Sequence, residues 1–337
     1  YTEDTYFAVA LGLYPNRDVI DAAFSVVRDG VQRSVFASGR APLDRTRTRI
    51  GPISIEIVEP MRVNRVRVDA PDHDLVADLT FTSRTPAIEE ARQTHWSGTR
   101  LGIDLTRATA LGSWSGSLAV AGQPVPLPDT MYGTKDRSWG IRPVADPAAA
   151  APVKKLPQMF FLWAPLNFAD TALHFLVFED EDGVPWARTA ARLPLLDGSA
   201  PVTDGSGIEH LNGRHAVRWA EGKRWSEGAT LSFGDAGVVE LEPVMKFRMR
   251  GAGYSHPDYP HGRWQDELFV AGEAHRVEDL DNLTVDQVHL QQVVRAKWGE
   301  RSGLGVLEQL VIGPHAPSGL AGLLDGAAPG AVSGQTH

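Results

Sequence analysis

The sequence predicts an all-β protein made of two tandem antiparallel β domains, each a barrel or a sandwich. Three observations support this prediction. Short period-2 segments fill both halves of the chain, a stretch rich in Ala and Pro separates the halves, and nine residues of one half are echoed in the other. The 337 residues suffice for two ordinary domains. We expect an N-terminal domain of residues 1–148 and a C-terminal domain of residues 149–337.

Alternating apolar and polar residues locate the strands of the first half. Residues 21–27 and 31–37 flank Asp29-Gly30, a dipeptide preferred in two-residue hairpins, and so predict two paired strands. Residues 16–27 have a composition that also suits a helix, but no cap or 3.6-residue period supports that alternative. The other candidate strands are residues 52–58, 61–69, 75–82 and 101–105. Residues 86–92 are predicted as a short helix.

The second half shows the same alternation of apolar and polar residues. Asp182-Gly183 predicts a turn between two of its strands, and residues 315–324 are predicted as a second short helix. The candidate strands are residues 158–166, 172–178, 186–193, 214–220, 229–233, 238–242, 246–250, 285–297 and 306–312.

Two features favour a duplicated architecture. Residues 145–157 are typical of a linker, because they are low in complexity and interrupted by Pro. Residues 114–122 and 264–272 share Trp, Leu, Val, Ala and Gly at the same relative positions. Chance can produce so short a match, but duplication explains it together with the linker. It predicts that Trp114 and Trp264 both face inward on strands that end at a Gly turn.

The composition excludes several classes of function. A net charge of −9 argues against binding to nucleic acid or to anionic membranes, which need a basic surface. The absence of Cys excludes disulfides, Cys-based zinc sites, Fe–S clusters and thiol nucleophiles. No apolar run reaches the ~18–20 residues of a spanning helix, and residues 7–13 lack the basic flank of a signal peptide. We therefore expect no nucleic-acid partner, no integral membrane segment and a cytoplasmic location.

The first cluster with chemical potential is residues 132–142, which combine a carboxylate, several cations and two aromatic side chains. In an extended segment, Asp136 and Ser138 share one face, while Arg137 and Trp139 take the other. Asp136 in an apolar, Trp-lined pocket would be a general acid, because burial raises the pKa of a carboxyl group. The alternative is an Asp–Arg ion pair that closes a turn against a packed Trp.

The second cluster is a loop broken by Gly and Pro at residues 251–267. It holds Tyr254, His256, His261, Trp264 and Glu267. The two imidazoles suit proton transfer, because His titrates near neutral pH. A metal site formed by the two His and Glu267 is a second interpretation, but their spacing matches no standard metal motif. A polar loop with hydrogen-bonded His residues is the third.

Aromatic residues at 160–163 form a third group, which indicates either a core strand or the lining of an apolar pocket. Phe161 and Trp163 are its candidate ligand contacts. The sequence contains no complete nucleotide-binding glycine loop, no serine-hydrolase elbow and no H-E-x-x-H motif. We therefore expect no cofactor and no metal.

Two stretches resemble a known superfamily. Lys135-Asp136-Arg137-Ser138-Trp139-Gly140 is similar to the R-D-H-S-W-G motif of AttH/CrtC-like proteins, which include the carotenoid 1,2-hydratases (hydroxyneurosporene synthases). Residues 253–257 and 261–264 resemble the G-Y-G-H-P and H-G-x-W stretches of an uncharacterised bacterial branch, and residues 303–309 resemble its closing strand. The chain departs from these patterns at three positions: Lys135 replaces Arg, Ser255 replaces Gly, and Arg137 stands where His is frequent.

The resemblance implies two lipocalin-like β-barrel domains and a hydrophobic, often isoprenoid, ligand. Relatives hydrate or cyclise alkenes without metal or nucleotide. We therefore expect Asp136 to protonate a C=C bond and Trp139 and Trp163 to stabilise a carbocation. His256 or His261, with Tyr254, would position the quenching water, and Glu267 is a reserve acid. The remaining candidate substrate contacts are Tyr132, Arg137, Phe161 and Trp264.

We expect both clusters to face one apolar cavity near the domain junction. The alternative functions are a non-catalytic carrier of a hydrophobic small molecule and a cyclase or pericyclase on the same scaffold. The expected partner is a hydrophobic small molecule in each case, and a homodimer is left open.

Overall fold

The computed structural model describes residues 1–142, 156–197, 205 and 207–334. In this part of the chain the regular elements are β-strands and 3-10 turns of three or four residues. The all-β prediction is confirmed. No helix in the described ranges has the length and apolarity needed to traverse a bilayer.

The first half contributes twelve strands. They are β1 (Thr5–Tyr14), β2 (Val19–Arg28), β3 (Val31–Arg40), β4 (Arg49–Ile50), β5 (Ile53–Glu59), β6 (Val63–Ala70), β7 (Leu75–Ser83), β8 (Ile88–Glu89), β9 (Gln93–Ser97), β10 (Arg100–Val120), β11 (Gln123–Val125) and β12 (Met131–Ile141).

The second half contributes eleven strands among its described residues. They are β13 (Met159–Asn167), β14 (Ala172–Glu179), β15 (Pro185–Leu193), β16 (Glu209–His210), β17 (Gly213–Trp219), β18 (Ser226–Phe233), β19 (Val238–Arg248), β20 (Leu268–Arg276), β21 (Leu290–Trp298), β22 (Arg301–Ile312) and β23 (Val332–Gly334).

These strands form three antiparallel sheets. Sheet 1 has the order β1-β2-β3-β20. Sheet 2 runs β11-β10-β7-β6-β5-β4, and the long strand β10 also pairs with β8, β9 and β12. Sheet 3 has the order β16-β15-β14-β13-β22-β21-β19-β18-β17-β23. The curled sheets match two lipocalin-like β domains.

The predicted turns at Asp29-Gly30 and Asp182-Gly183 are both present. Asp29 and Gly30 have φ values of 51° and 72°, and they join β2 to β3 in register from Arg28↔Val31 onward. Positive φ at both central residues gives the turn the twist that antiparallel strands require. Residues 16–27 are therefore not a helix: a 3-10 turn at Pro15–Arg17 leads directly into β2.

Four apolar clusters among the described residues hold the sheets together: a small one joins sheets 2 and 3, and three are larger. One lies between sheets 1 and 2 and includes Phe24 and Leu79. Another fills the inside of sheet 3 and includes Phe160 and Phe175. The third packs sheet 1 against the opposite face of sheet 3 and includes Tyr6. Because side chains alternate along β13, Phe160 points into the second cluster and its neighbours Phe161 and Trp163 belong to the third.

Several local predictions are wrong. Residues 86–92 contain strand β8 instead of a helix, and residues 315–324 contain only a 3-10 turn at Ala316–Ser318. In both segments, pairing with neighbouring chain outweighs the weak local helix preference. The linker predicted at residues 145–157 falls mostly outside the described residues. The boundary at residue 148 therefore stays a prediction.

The two echoed segments are not structurally equivalent. Trp114 packs against the apolar cluster between sheets 1 and 2, on a strand that ends at a turn containing Gly122. Trp264 precedes β20 and is 43% exposed, and Gly272 lies in the middle of β20, opposite Val35. The second segment thus lacks the predicted inward Trp and the predicted Gly turn, because β20 lies at the edge of sheet 1.

Strand β20 ties the second half of the chain to the first. It pairs along its whole length with β3. Close by, the Gln32 amide donates to the Arg248 carbonyl at 2.8 Å and accepts from the Arg248 backbone N–H at 2.8 Å. A Cβ at Gly251 would meet the Gln32 amide nitrogen and the hydroxyls of Ser25 and Ser34.

We predict that Gly251→Ala lowers the free energy of unfolding by ~1–3 kcal/mol, the usual cost of overpacking a dense site. The added methyl would separate the Gln32 amide from the Arg248 backbone. Gly102→Ala on β10 is the matched control, since its Cβ would meet nothing closer than the His95 carbonyl oxygen at 3.8 Å. Urea denaturation of both variants measures the difference, and equal stability would contradict the proposed contact.

Candidate functional site

Asp136 lies on β12, and its strand partner determines which way it faces. In the register of β12 with β10, Asp136 stands opposite Thr109 and Ser138 stands opposite Arg107. Side chains of directly opposed residues lie on the same face of a sheet. Asp136, Ser138, Thr109 and Arg107 therefore share one face, while Arg137 faces the other way.

The Asp136 carboxyl occupies an unusual environment. The residue retains accessible surface, yet the surrounding protein desolvates the carboxyl group, and this desolvation raises its pKa. From these two observations we infer that Asp136 faces a hollow between the sheets and not the outer surface. Arg107 opposes the rise in pKa, whereas the nearby charge of Glu308 adds to it. We call this space, bordered by Asp136, Arg107, Glu308 and Tyr254, the central hollow.

Glu90 is a fully buried carboxylate beside the central hollow. Its Oε2 accepts from Arg107 Nε at 2.6 Å and from Gln93 at 3.2 Å. Its Oε1 accepts from Thr109 at 2.8 Å and from the Trp163 indole N–H at 2.9 Å. Burial acts to raise the pKa of Glu90, but the Arg107 charge and neighbouring His174 outweigh it and lower the pKa to about 2.

His174 is the least well-paired neighbour of Glu90. Its Nε2 lies 3.0 Å from Glu90 Oε1, but neither ring nitrogen makes an aligned hydrogen bond. The two groups are therefore in close polar contact, although the angles fall short of a well-aligned hydrogen bond.

Arg107 is held in a fixed orientation. Besides its bond to Glu90, its guanidinium carbon lies 5.3 Å from the Trp163 ring centroid and 5.6 Å from that of Phe161. The side chain is only 11% exposed, and its Nη2 is buried with no hydrogen-bond partner among the described residues. Arg107 thus presents an unused donor on the face that carries Asp136.

A second buried carboxylate, Glu308, lies on β22. Its Oε1 is 2.7 Å from His289 Nε2, and its Oε2 accepts from Gln291 at 2.8 Å. The Tyr6 hydroxyl in turn donates to Gln291. Burial acts to raise the pKa of Glu308, but the hydrogen bond and charge of His289 outweigh it, so the pKa lies below its usual value.

Tyr254 and Arg142 close another side of the central hollow. Arg142 donates to the Ser138 hydroxyl at 2.7 Å, and its charge interacts with Tyr254. The Tyr254 ring meets the edges of His289 and His261, with centroids 5.0 and 4.7 Å apart. Burial raises the pKa of the Tyr254 hydroxyl, which keeps it a hydrogen-bond donor.

The structure therefore gathers some of the sequence-predicted site residues. Tyr254 borders the central hollow, and His261 packs against it while its Nδ1 lies 3.4 Å from Asp21. Phe161 and Trp163 are connected to the hollow indirectly, because both rings pack against the Arg107 guanidinium. Tyr132 lies four residues before Asp136 on β12, so both side chains are on the same face of the strand. Tyr132 packs with the apolar cluster between sheets 1 and 3.

Other predicted residues lie apart from Asp136. Arg137 and Trp139 occupy the opposite face of β12, and Trp139 is 53% exposed. Glu267 is exposed and forms a two-pronged ion pair with Arg40, which lowers the pKa of Glu267. The Trp264 ring packs over the same Arg40, and its centroid lies 4.9 Å from the guanidinium carbon.

His256 belongs to a separate buried network. Its Nδ1 accepts from the backbone N–H groups of Asp258 and Tyr259, both at 3.0 Å. Its Nε2 lies 3.1 Å from Glu273. Two N–H donors on Nδ1 leave the ring proton on Nε2, so both nitrogens already have partners. This arrangement fixes the shape of the loop.

The residues that sequence reasoning missed are Glu90, Arg107, Arg142, His174, His289, Gln291 and Glu308. Most stand alone between ordinary strand residues, without a spacing motif. What most of them share is a polar side chain at an inward-facing position of a strand. Such a position can be recognised only when the register of the strands is known.

The fold is similar to that of solved proteins built from two β domains. Among solved structures, a Nitrosomonas europaea protein provisionally designated AttH matches with a TM-score of 0.54 at 15% identity, covering 90% of this chain and 86% of that one. Kievitone hydratase from Nectria haematococca gives a TM-score of 0.46 at 10% identity, covering 91% and 89%. The predicted AttH/CrtC-like resemblance is confirmed at the level of the fold.

The chain belongs to a family described as a family of unknown function (DUF8625), whose model matches residues 1–321. The comparison with curated proteins finds no match.

We predict that Glu90→Gln lowers the free energy of unfolding by ~3–5 kcal/mol, because it leaves the Arg107 cation buried without its carboxylate. The paired variant Arg107→Met/Glu90→Gln should recover much of this loss. Glu267→Gln, which breaks an exposed ion pair, should change stability little. Denaturant melts of the four proteins check the order, and a Glu90→Gln protein as stable as the exposed control would contradict it.

The same pair predicts a pH dependence. The pKa of Glu90 falls from 4.5 to about 2 on folding, so its contribution is complete above pH 4.5 and is lost as the pH falls toward 2. The stability difference between wild type and Glu90→Gln should therefore shrink over this window. A difference that stays constant there would show that Glu90 is not ionised in the folded protein.

Proposed function

We propose that the protein is a cofactor-independent hydratase or isomerase of a hydrophobic alkene, with Asp136 as its general acid. The observation that carries this proposal is the contrast among three neighbouring carboxyl groups. The pKa of Asp136 is raised, whereas those of Glu90 and Glu308 are lowered. Environments that drive the pKa values of adjacent carboxyls apart are a common way to assign acid and base roles.

Asp136 suits the role of acid because desolvation raises the pKa of its carboxyl group while the residue keeps accessible surface. Glu308 suits the opposite role. It remains ionised and holds His289, so the pair can take a proton from a water molecule that adds to the substrate. Tyr254 lies against His289 and has a hydroxyl that can orient this water.

The overall reaction balances without a cofactor. Asp136 gives its proton to one carbon of the C=C bond, and water forms a C–O bond to the other. The water's surplus proton goes to the His289–Glu308 pair, which releases it to solvent, and Asp136 recovers a proton from solvent. Run in reverse, the same groups would dehydrate an alcohol, and protonation followed by loss of a different proton would isomerise the alkene.

The apolar surroundings support a hydrophobic substrate. Leu304, Leu310 and Met245 retain accessible surface although they pack against the buried cluster that faces sheet 1. Pockets of this kind bind apolar molecules and use a few polar groups for orientation. The same lining would serve a non-catalytic carrier, so the proposal depends on whether Asp136 transfers a proton.

We predict that the protein incorporates deuterium into C–H bonds of alkenes in D₂O, with geraniol, linalool and β-ionone as probes and mass spectrometry as the readout. Carbon-bound deuterium requires proton transfer to the alkene carbon. Asp136→Asn should lower the rate by about 10²–10⁴ without lowering the melting temperature.

Asp170→Asn is the control, because Asp170 is an exposed carboxylate paired only at the surface with Arg301. It should exchange deuterium like wild type. Wild-type exchange by Asp136→Asn would remove Asp136 from the mechanism. Tight binding of the probes with no exchange by any protein would favour the carrier.

A further inference from the structure

Arg107 leaves one strong donor unused in a place where an unused donor is costly. Within the part of the chain that the structure describes, Nη2 is buried and has no hydrogen-bond partner, whereas Nε already donates to Glu90. A buried donor without an acceptor costs about 1–3 kcal/mol, and more when it carries charge. Such a group inside a binding site indicates that a ligand atom completes it.

The ligand atom has to be an oxygen with partial negative charge, because a guanidinium only donates hydrogen bonds. The planar group is held between Trp163 and Phe161, so Nη2 is pre-oriented and loses little entropy when it binds. Its strand position beside the Thr109–Asp136 pair places the bound oxygen on the same face as Asp136.

The Arg107 charge also decides between two routes for adding water to a C=C bond. A carbocation beside a guanidinium is repelled, and the Trp163 face that would stabilise it is already covered by Arg107. An enolate oxygen beside the same guanidinium is attracted. The site therefore favours an alkene whose electrons can move onto oxygen.

Charge balance favours a neutral oxygen over a carboxylate. Glu90 and Glu308 carry two negative charges, and Arg107 and Arg142 carry two positive charges, while desolvation shifts Asp136 toward its neutral form. An added carboxylate would leave the enclosed site with uncompensated charge, which is unfavourable at low dielectric.

We infer that the central hollow takes an α,β-unsaturated carbonyl compound, with the carbonyl oxygen bound to Arg107 Nη2. This inference rests on the proposed function and specifies its substrate class. Water adds its oxygen at the β carbon, and the C=C electron pair moves toward the carbonyl oxygen. Asp136 then protonates the α carbon, and the water's surplus proton leaves to the His289–Glu308 pair.

Three probes that share a trans-styryl group test this substrate class: benzylideneacetone, trans-1-phenyl-1-butene and cinnamate. They carry a ketone, no oxygen and a carboxylate at the same position. Titration calorimetry should show wild type binding benzylideneacetone about tenfold tighter than either of the others, since hydrogen bonds to charged donors are among the strong ones. The ultraviolet band of the bound ketone should move to longer wavelength.

Arg107→Met/Glu90→Gln removes the donor and its buried counter-charge together, and it should abolish both the preference and the spectral shift. Arg107→Lys, which keeps the charge but loses the planar fork, is the second variant and should lose most of the preference. Arg65→Met/Asp78→Asn removes a comparable ion pair on the outside of sheet 2 and should keep both.

Equal affinity for the ketone and the hydrocarbon, a preference for cinnamate, or a ketone preference that survives in both Arg107 variants would overturn the inference. Failure of all three probes to bind would overturn it too. Binding requires no turnover, so these outcomes are separate from loss of deuterium exchange, which would instead count against Asp136 as the acid.

Discussion

The buried pair of Glu90 and Arg107 is the interaction on which the site depends. Glu90 follows β8 and Arg107 lies on β10, both in sheet 2, while the Trp163 N–H that also binds Glu90 comes from sheet 3. One carboxylate thus joins the two halves of the chain at the edge of the central hollow. A buried ion pair is stabilising only when its remaining hydrogen bonds are made, and Glu90 has four donors.

This pair also sets the electrostatics of the neighbouring groups. Because Arg107 is balanced by Glu90, its charge lowers the pKa of Asp136 too little to offset the desolvation that raises it. Glu308 is stabilised separately by His289 and Gln291 and stays ionised. The protein thereby raises the pKa of one carboxyl group and lowers the pKa of two others around the same hollow, whereas all three would have similar pKa values in water.

Local sequence patterns predicted many of the strands, the Asp29-Gly30 hairpin and, for an extended segment, the direction in which Asp136 faces, because each depends on alternation or on turn chemistry. Strands β1 and β12 themselves were not among the predicted strands. They could not predict the partners of Asp136. Glu90 fell in a segment predicted as helix, and Arg107 has no motif around it. Their meeting depends on the pairing of β8 and β10 and on the packing of sheet 3, which only the tertiary fold determines. The pairing of β20 with β3 escaped prediction for the same reason.

The central claim is that Asp136 is a protonated acid at the pH where the protein works. Infrared difference spectroscopy of wild type against Asp136→Asn isolates the C=O stretching band of this one carboxyl group. The account predicts that the band persists well above pH 3.8, the ordinary pKa of an aspartic acid side chain, and disappears only at a higher pH. A band that is already lost at or below pH 3.8 would show an ionised Asp136 and contradict its role as general acid.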